Sequence, residues 1–70
     1  MLKKMINTIR VERAKKQITQ AELAQKLSVS RQTIHSIETG KFVPSTVLAL
    51  RIAQFFAVDF NEIFQLEDEE

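Results

Sequence analysis

Between Thr19 and Pro44 the apolar positions fall into two short clusters with helical spacing, separated by a polar break. Leu23, Ala24 and Leu27 lie on one helical stripe, and Val29 continues it beyond the break. Thr19 and Glu22 stand in the spacing at which each side chain satisfies a backbone N–H of the other residue. This helix is therefore predicted to begin near Gln20 and to stop at Ser28. Ser30 offers a second cap, and Ile34 and Ile37 are the only large apolar residues of a helix predicted over roughly 31–39, with Gly40 as its left-handed terminator.

Three further helices are predicted. A first helix runs from a cap at Asn7 to about residue 16, with Ile9 inward and Arg10, Lys15 and Lys16 on the wet side. Ser45, after Pro44, caps a fourth helix ending near Phe56, and Asp59 with Glu62 repeats the capping spacing ahead of a short fifth helix over 60–64. The fourth helix is apolar on nearly every side. Leu48, Ile52 and Phe56 with Ala49 and Ala53 suit a core, which leaves Val47, Leu50 and Phe55 only partly accommodated. A partner is the expected cover, and a second copy of the chain is the simplest one. Phe64 and Leu66 join these three residues as the expected dimer interface.

On the helix over 31–39 the side opposite Ile34 and Ile37 carries Gln32, His35, Ser36 and Thr39, with Arg31 and Thr33 at its margins. Arg and Gln fork onto guanine and adenine edges in the major groove, whereas Thr and Ser bond a base or a phosphate oxygen. Any surface helix is polar outside, so this row alone decides little. The break between the helices, the two caps and the Gly terminator add what the row lacks, and together they point to double-stranded DNA as the partner.

Seventy residues make one domain, and a chain of this length buries only about 60% of its unfolded surface, which again favours a dimer. With no Cys and a single His, His35, there is no ligand set for zinc and no disulfide framework. No apolar run approaches the roughly 20 residues that span a bilayer, and Lys3 and Lys4 precede no signal-like apolar stretch, so no membrane role is expected. The net charge is only +1. The acids are concentrated, however: residues 67–70 read as a solvated acidic tail beyond a domain over 1–66, and the chain before it holds ten basic and five acidic residues. No acid is placed to orient His35 and one glycine cannot build a phosphate-cradling loop, so neither enzyme activity, a cofactor nor a small-molecule ligand is expected.

Over about residues 9–64 the chain resembles the Cro/repressor-type, or XRE, helix-turn-helix family. The residues that carry the resemblance are Ile18-Thr19-Gln20 with Glu22-Leu23-Ala24, Leu27 with Val29-Ser30-Arg31-Gln32-Thr33-Ile34, Ile37-Glu38 with Gly40-Lys41, and Pro44-Ser45. The resemblance implies an all-α, five-helix, lambda-repressor-like DNA-binding domain in a cytoplasmic, nucleoid-associated regulator. It implies base contacts from Arg31, Gln32 and Ser36, to which the geometry above adds His35. Backbone contacts are implied from Gln20 and Lys41, to which the hydroxyls of Thr33 and Thr39 are added. An ion pair of Arg13 with Glu38 and a small β-ribbon joining the two chain ends, near Met5, Ile6 and residues 64–66, are implied as well. The chain departs from the family where Gln17 and Ser28 stand in place of Gly, Glu12 in place of Leu and Thr39 in place of Asn, so Gln17 and Ser28 are expected to adopt positive φ with a Cβ. Two other readings remain open on these residues: an antitoxin that binds DNA and a toxin, and a protein-interaction module that has kept only the fold.

Overall fold

The structure is a computed structural model that describes residues 2–69, with side chains over residues 4–67. Strand β1 (Leu2–Asn7) leads into helices α1 (Ile9–Lys16), α2 (Gln20–Leu27), α3 (Arg31–Glu38), α4 (Thr46–Phe56) and α5 (Phe60–Ile63), and strand β2 (Phe64–Glu69) returns antiparallel to β1. The five helices and the ribbon match the expected architecture, but the ribbon is longer than expected. Its register runs from Asn7 opposite Phe64 to Leu2 opposite Glu69, and it sets Lys4 opposite Glu67 and Lys3 opposite Asp68. Residues 67–69 continue the second strand. Lys4 and Glu67, opposite in charge and facing each other in the register, favour this pairing. Glu70 lies outside the described residues.

The helix starts follow from local chemistry. At α2 the Glu22 N–H donates to Thr19 Oγ1 at 3.0 Å, and the Thr19 N–H donates to Glu22 Oε1 at 2.8 Å. Ser30 and Ser45 accept from the Thr33 and Leu48 N–H groups at 3.0 and 3.1 Å. Two starts differ from expectation. Thr8, not Asn7, is the cap residue of α1 and makes no side-chain cap bond, while Asn7 Oδ1 accepts from the Ile9 N–H at 3.2 Å. Asp59 makes no side-chain cap bond either; α5 is a single turn closed by backbone bonds to the Asp59 carbonyl and anchored by burial of Ile63.

Three helices end in one way. Gln17, Ser28 and Ala57 adopt φ of 57°, 58° and 56°. At each end the left-handed residue and its successor donate back into the last turn: Gln17 to Ala14 and Ile18 to Arg13, Ser28 to Gln25 and Val29 to Ala24, Ala57 to Gln54 and Val58 to Ala53. These are Schellman turns, and the apolar Ile18, Val29 and Val58 that follow pack against the core. The left-handed conformation expected at Gln17 and Ser28 is present, and Ala57 shares it unannounced.

The core joins Ile9, Leu23, Leu27, Ile34, Ile37, Ile52, Phe56, Ile63 and Phe64 with Ala24, Ala49 and Ala53. Phe64 is only 2% exposed, with its ring 5.2 Å from that of Phe60, so it belongs to the core and not to a dimer surface. It is the first residue of β2, and the inward side of the ribbon carries it under α5. Val47, Leu50 and Leu66 are exposed as expected. Phe55 is half-buried; its ring meets Phe56 edge-on at 5.1 Å and has Lys16 Nζ 5.8 Å from its centre. Among the described residues no helix is long and apolar enough to cross a membrane.

Candidate nucleic-acid interface

The interface is built on α3, which is pinned to α2 through the buried Leu23, Leu27, Ile34 and Ile37. Burying two isoleucines on one side fixes how the helix is rotated, and so decides which side chains face outward. Arg31, Gln32 and Thr39 are exposed, while Thr33, His35 and Ser36 are half-buried. Past the helix, Gly40 turns the chain at φ 79°, and the N–H groups of Lys41 and Phe42 both donate to the Ser36 carbonyl at 2.9 and 3.1 Å. Lys41 is thereby held at the C-terminal end of the same outward side, exposed.

Behind this surface lies a polar network. Arg13 Nε donates to Glu38 Oε2 at 2.6 Å and Nη2 donates to Oε1 at 3.1 Å, while Nη1 donates to the Ile18 carbonyl at 3.1 Å. The two side chains are 16% and 6% exposed. The guanidinium and the carboxylate thus form a sheltered, bidentate ion pair. The Arg13 guanidinium is held above its ordinary pKa, first by the hydrogen bond to Glu38, with burial opposing and the charge of Glu38 adding. Gln20 extends the network: its Nε2 donates to Glu38 Oε1 at 3.2 Å and lies 3.3 Å from His35 Nδ1, while its Oε1 accepts from Arg31 Nη1 at 2.9 Å. The core ion pair thus orients Gln20, and Gln20 in turn holds Arg31 at the entrance of α3.

The expected contact residues therefore differ in what they have free. Gln32 is exposed, and among the described residues its side chain makes one bond, a long one of 3.4 Å to Ser36 Oγ. The hydroxyl of Thr33 is paired with Ser30 Oγ at 2.9 Å, and that of Thr39 donates to the His35 and Ser36 carbonyls at 3.0 and 3.3 Å. Both Thr side chains, like the Gln20 amide, are engaged within the protein.

Two clefts flank the α3 surface. One, of about 390 Å³, is bordered by Arg10, Arg13, Gln20, Arg31, His35 and Thr39. Arg10, expected on the wet side of the first helix, sits one turn before Arg13 on α1 and so shares its side of the helix. The second, of about 360 Å³, is bordered by Gln32, Thr33, Ser36, Lys41 and Phe42. The basic groups of α1 thus border one cleft beside α3, and Lys41 in the loop after α3 borders the other.

Comparison with known proteins agrees with this geometry. A helix-turn-helix family model matches residues 9–63. The chain belongs to the helix-turn-helix family, of XRE type. The uncharacterized HTH-type transcriptional regulator MJ0272 of Methanocaldococcus jannaschii is 52% identical over 66 residues, which are 94% of this chain and all of that protein. YgzD of Bacillus subtilis, likewise an HTH-type transcriptional regulator, is 38% identical over 93% of this chain and 98% of its own length. The crystal structure of a candidate DNA-binding protein from Bacteroides fragilis superposes with a TM-score of 0.77 at 31% identity, covering 87% of this chain and 98% of that one. The helix-turn-helix pair of this family is α2 and α3.

Proposed function

We propose that this helix-turn-helix protein is a sequence-specific DNA-binding repressor that occupies a palindromic operator as a homodimer. The observation that carries the reading is that Arg31 and Gln32 are exposed on a helix whose opposite side is locked into the core, with the exposed Lys41 just past its end. Gln32 reads a base, Arg31 reads a second base or clamps a phosphate at the entrance of α3, and His35 and Ser36 lie behind them in the groove. Lys41 and the start of α2 at Gln20 meet the sugar-phosphate backbone, with Thr33 and Thr39 shaping the helix ends beside it. A relative from Bacillus phage phi105, 35% identical over 93% of this chain, is named an ImmF control region protein, which supports a regulatory role.

A dimer is supported by the exposed Val47 and Leu50, three residues apart on one side of α4, and by Leu66 on the outer part of the ribbon. Two recognition helices set about 34 Å apart would then enter successive major grooves. Occlusion of RNA polymerase is the simplest mechanism for a domain of this size.

The deciding experiment is selection of bound duplexes from a random library at about 0.15 M salt, where phosphate-only attraction is already screened. The expected outcome is enrichment of a palindrome whose half-sites lie one helical turn apart. Enrichment of single, unpaired half-sites would remove the dimer, and no enrichment from folded protein would remove sequence-specific binding altogether.

A further inference from the structure

Phe42 follows the helix-turn-helix pair and is 50% exposed, although it is one of the largest apolar side chains of the molecule. Its placement is rigid, because Gly40 turns the backbone and the Lys41 and Phe42 N–H groups are both bound to the Ser36 carbonyl. One side of the residue closes a small gap lined by Ile37, Pro44 and Phe64. The other side borders the open cleft that Gln32, Ser36 and Lys41 also border. An apolar edge is thus fixed at the margin of a polar surface, on the same cleft as the exposed Gln32, whose amide is held within the protein only by a long 3.4 Å bond among the described residues.

The major groove of DNA offers one apolar group, the C5 methyl of thymine, and the adenine of the same pair offers N6 and N7, which match a glutamine amide. A Gln and a Phe on one cleft therefore fit neighbouring edges of A·T pairs. We infer that Phe42 is a specificity-determining residue whose exposed ring edge packs on a thymine methyl beside the base read by Gln32, an inference that rests on the DNA-binding reading above. Lys41, the residue before it, would hold the adjacent phosphate and so keep the ring at the groove.

The test replaces each thymine of the selected operator, one position at a time, by deoxyuridine, which deletes the methyl and leaves every hydrogen-bonding group. Wild-type protein is expected to lose about three- to five-fold in affinity per half-site at one thymine, the worth of one buried methyl. Phe42→Ala should bind the thymine and deoxyuridine operators equally, and Phe42→Leu, which restores an apolar side chain, should recover the discrimination. The inference is overturned if wild-type protein binds every deoxyuridine operator as tightly as the parent, or if Phe42→Ala keeps the same ratio. The scan on wild-type protein needs no variant, so poor folding of Phe42→Ala cannot mask the result. Selective operator binding without a methyl effect removes the role of Phe42 alone, whereas folded protein that binds no duplex selectively removes the DNA reading and this one together.

Discussion

Deleting the Glu38 carboxylate is expected to unfold the domain before it affects recognition. Glu38 accepts two bonds from Arg13, at 2.6 and 3.1 Å, and a third from Gln20 at 3.2 Å. In Glu38→Ala the Arg13 guanidinium, 16% exposed, keeps only its bond to the Ile18 carbonyl. Stranding one partner of a sheltered pair costs about 3–5 kcal/mol. A domain of this length has on the order of 4–10 kcal/mol in total, so the variant should lose about half its stability, and at roughly 4–8 °C per kcal/mol its midpoint should fall by more than 10 °C. The assay is denaturant and thermal unfolding followed by circular dichroism, with operator binding measured at a temperature where the variant is still folded. Binding by that folded fraction should retain the wild-type sequence preference. Replacing the whole pair by apolar residues, Arg13→Met with Glu38→Leu, should recover most of the loss, because no buried charge is then left alone. On the alkaline side the pair should be insensitive to pH. The folded pKa of Arg13 is raised, so its contribution is fully present below the unfolded arginine value and is lost only above the folded one, beyond any working pH. A melt of Glu38→Ala that overlays wild type would refute the reasoning.

Further predictions concern recognition and the backbone. Gln32→Ala should cost about 1–3 kcal/mol on the best operator and relax one base position, checked by repeating the selection with the variant; an unchanged preference would show that Gln32 reads no base. Lys41→Ala should weaken all sequences alike and reduce the salt slope by about one unit in a titration from low to high salt, and a change confined to one base pair would contradict a phosphate contact. At Gln17, Ser28 and Ala57, where φ is near +57°, substitution by Gly relieves a left-handed strain of about 1–2 kcal/mol and adds a smaller loss of unfolded-state restriction, for a net gain of roughly 0.5–1 kcal/mol each. Because the three sites lie in separate turns, the triple variant should show near-additive gains in a chemical melt, and a destabilised triple would mean that the Cβ atoms pack usefully. Asn7→Ala should lose about 0.5–1.5 kcal/mol, since Asn7 Nδ2 donates to the Ile37 carbonyl at 2.9 Å, although that carbonyl keeps its 3.1 Å bond from the Gly40 N–H; a melt within error of wild type would show that the Asn7 bond adds nothing.

What the sequence made legible was local, and what it concealed depended on distance. Thr19 with Glu22, Ser30 and Ser45 announce their helices because a cap is completed within three residues. The stripes of α2 and α3 are readable for the same reason, and they fix the outward position of Gln32 without knowledge of the remaining chain. Ala57 gave no signal for its left-handed turn, because alanine is the residue best suited to the helix it terminates. Asn7 looked like an ordinary helix cap because its second bond goes to Ile37, thirty residues away. The strand over 64–69 was not legible in full because its partner strand lies at the other end of the chain. Gln20 and Arg31 are the instructive pair: both residues stand out in sequence as DNA contacts, yet only the folded chain shows that Gln20 spends its amide on Glu38 and Arg31. The contact proposed for Arg31 is thus coupled to the Arg13–Glu38 ion pair through a single side chain. Stability and recognition in this domain meet at Gln20, so substitutions there should disturb both more than either sequence pattern or exposure alone would indicate.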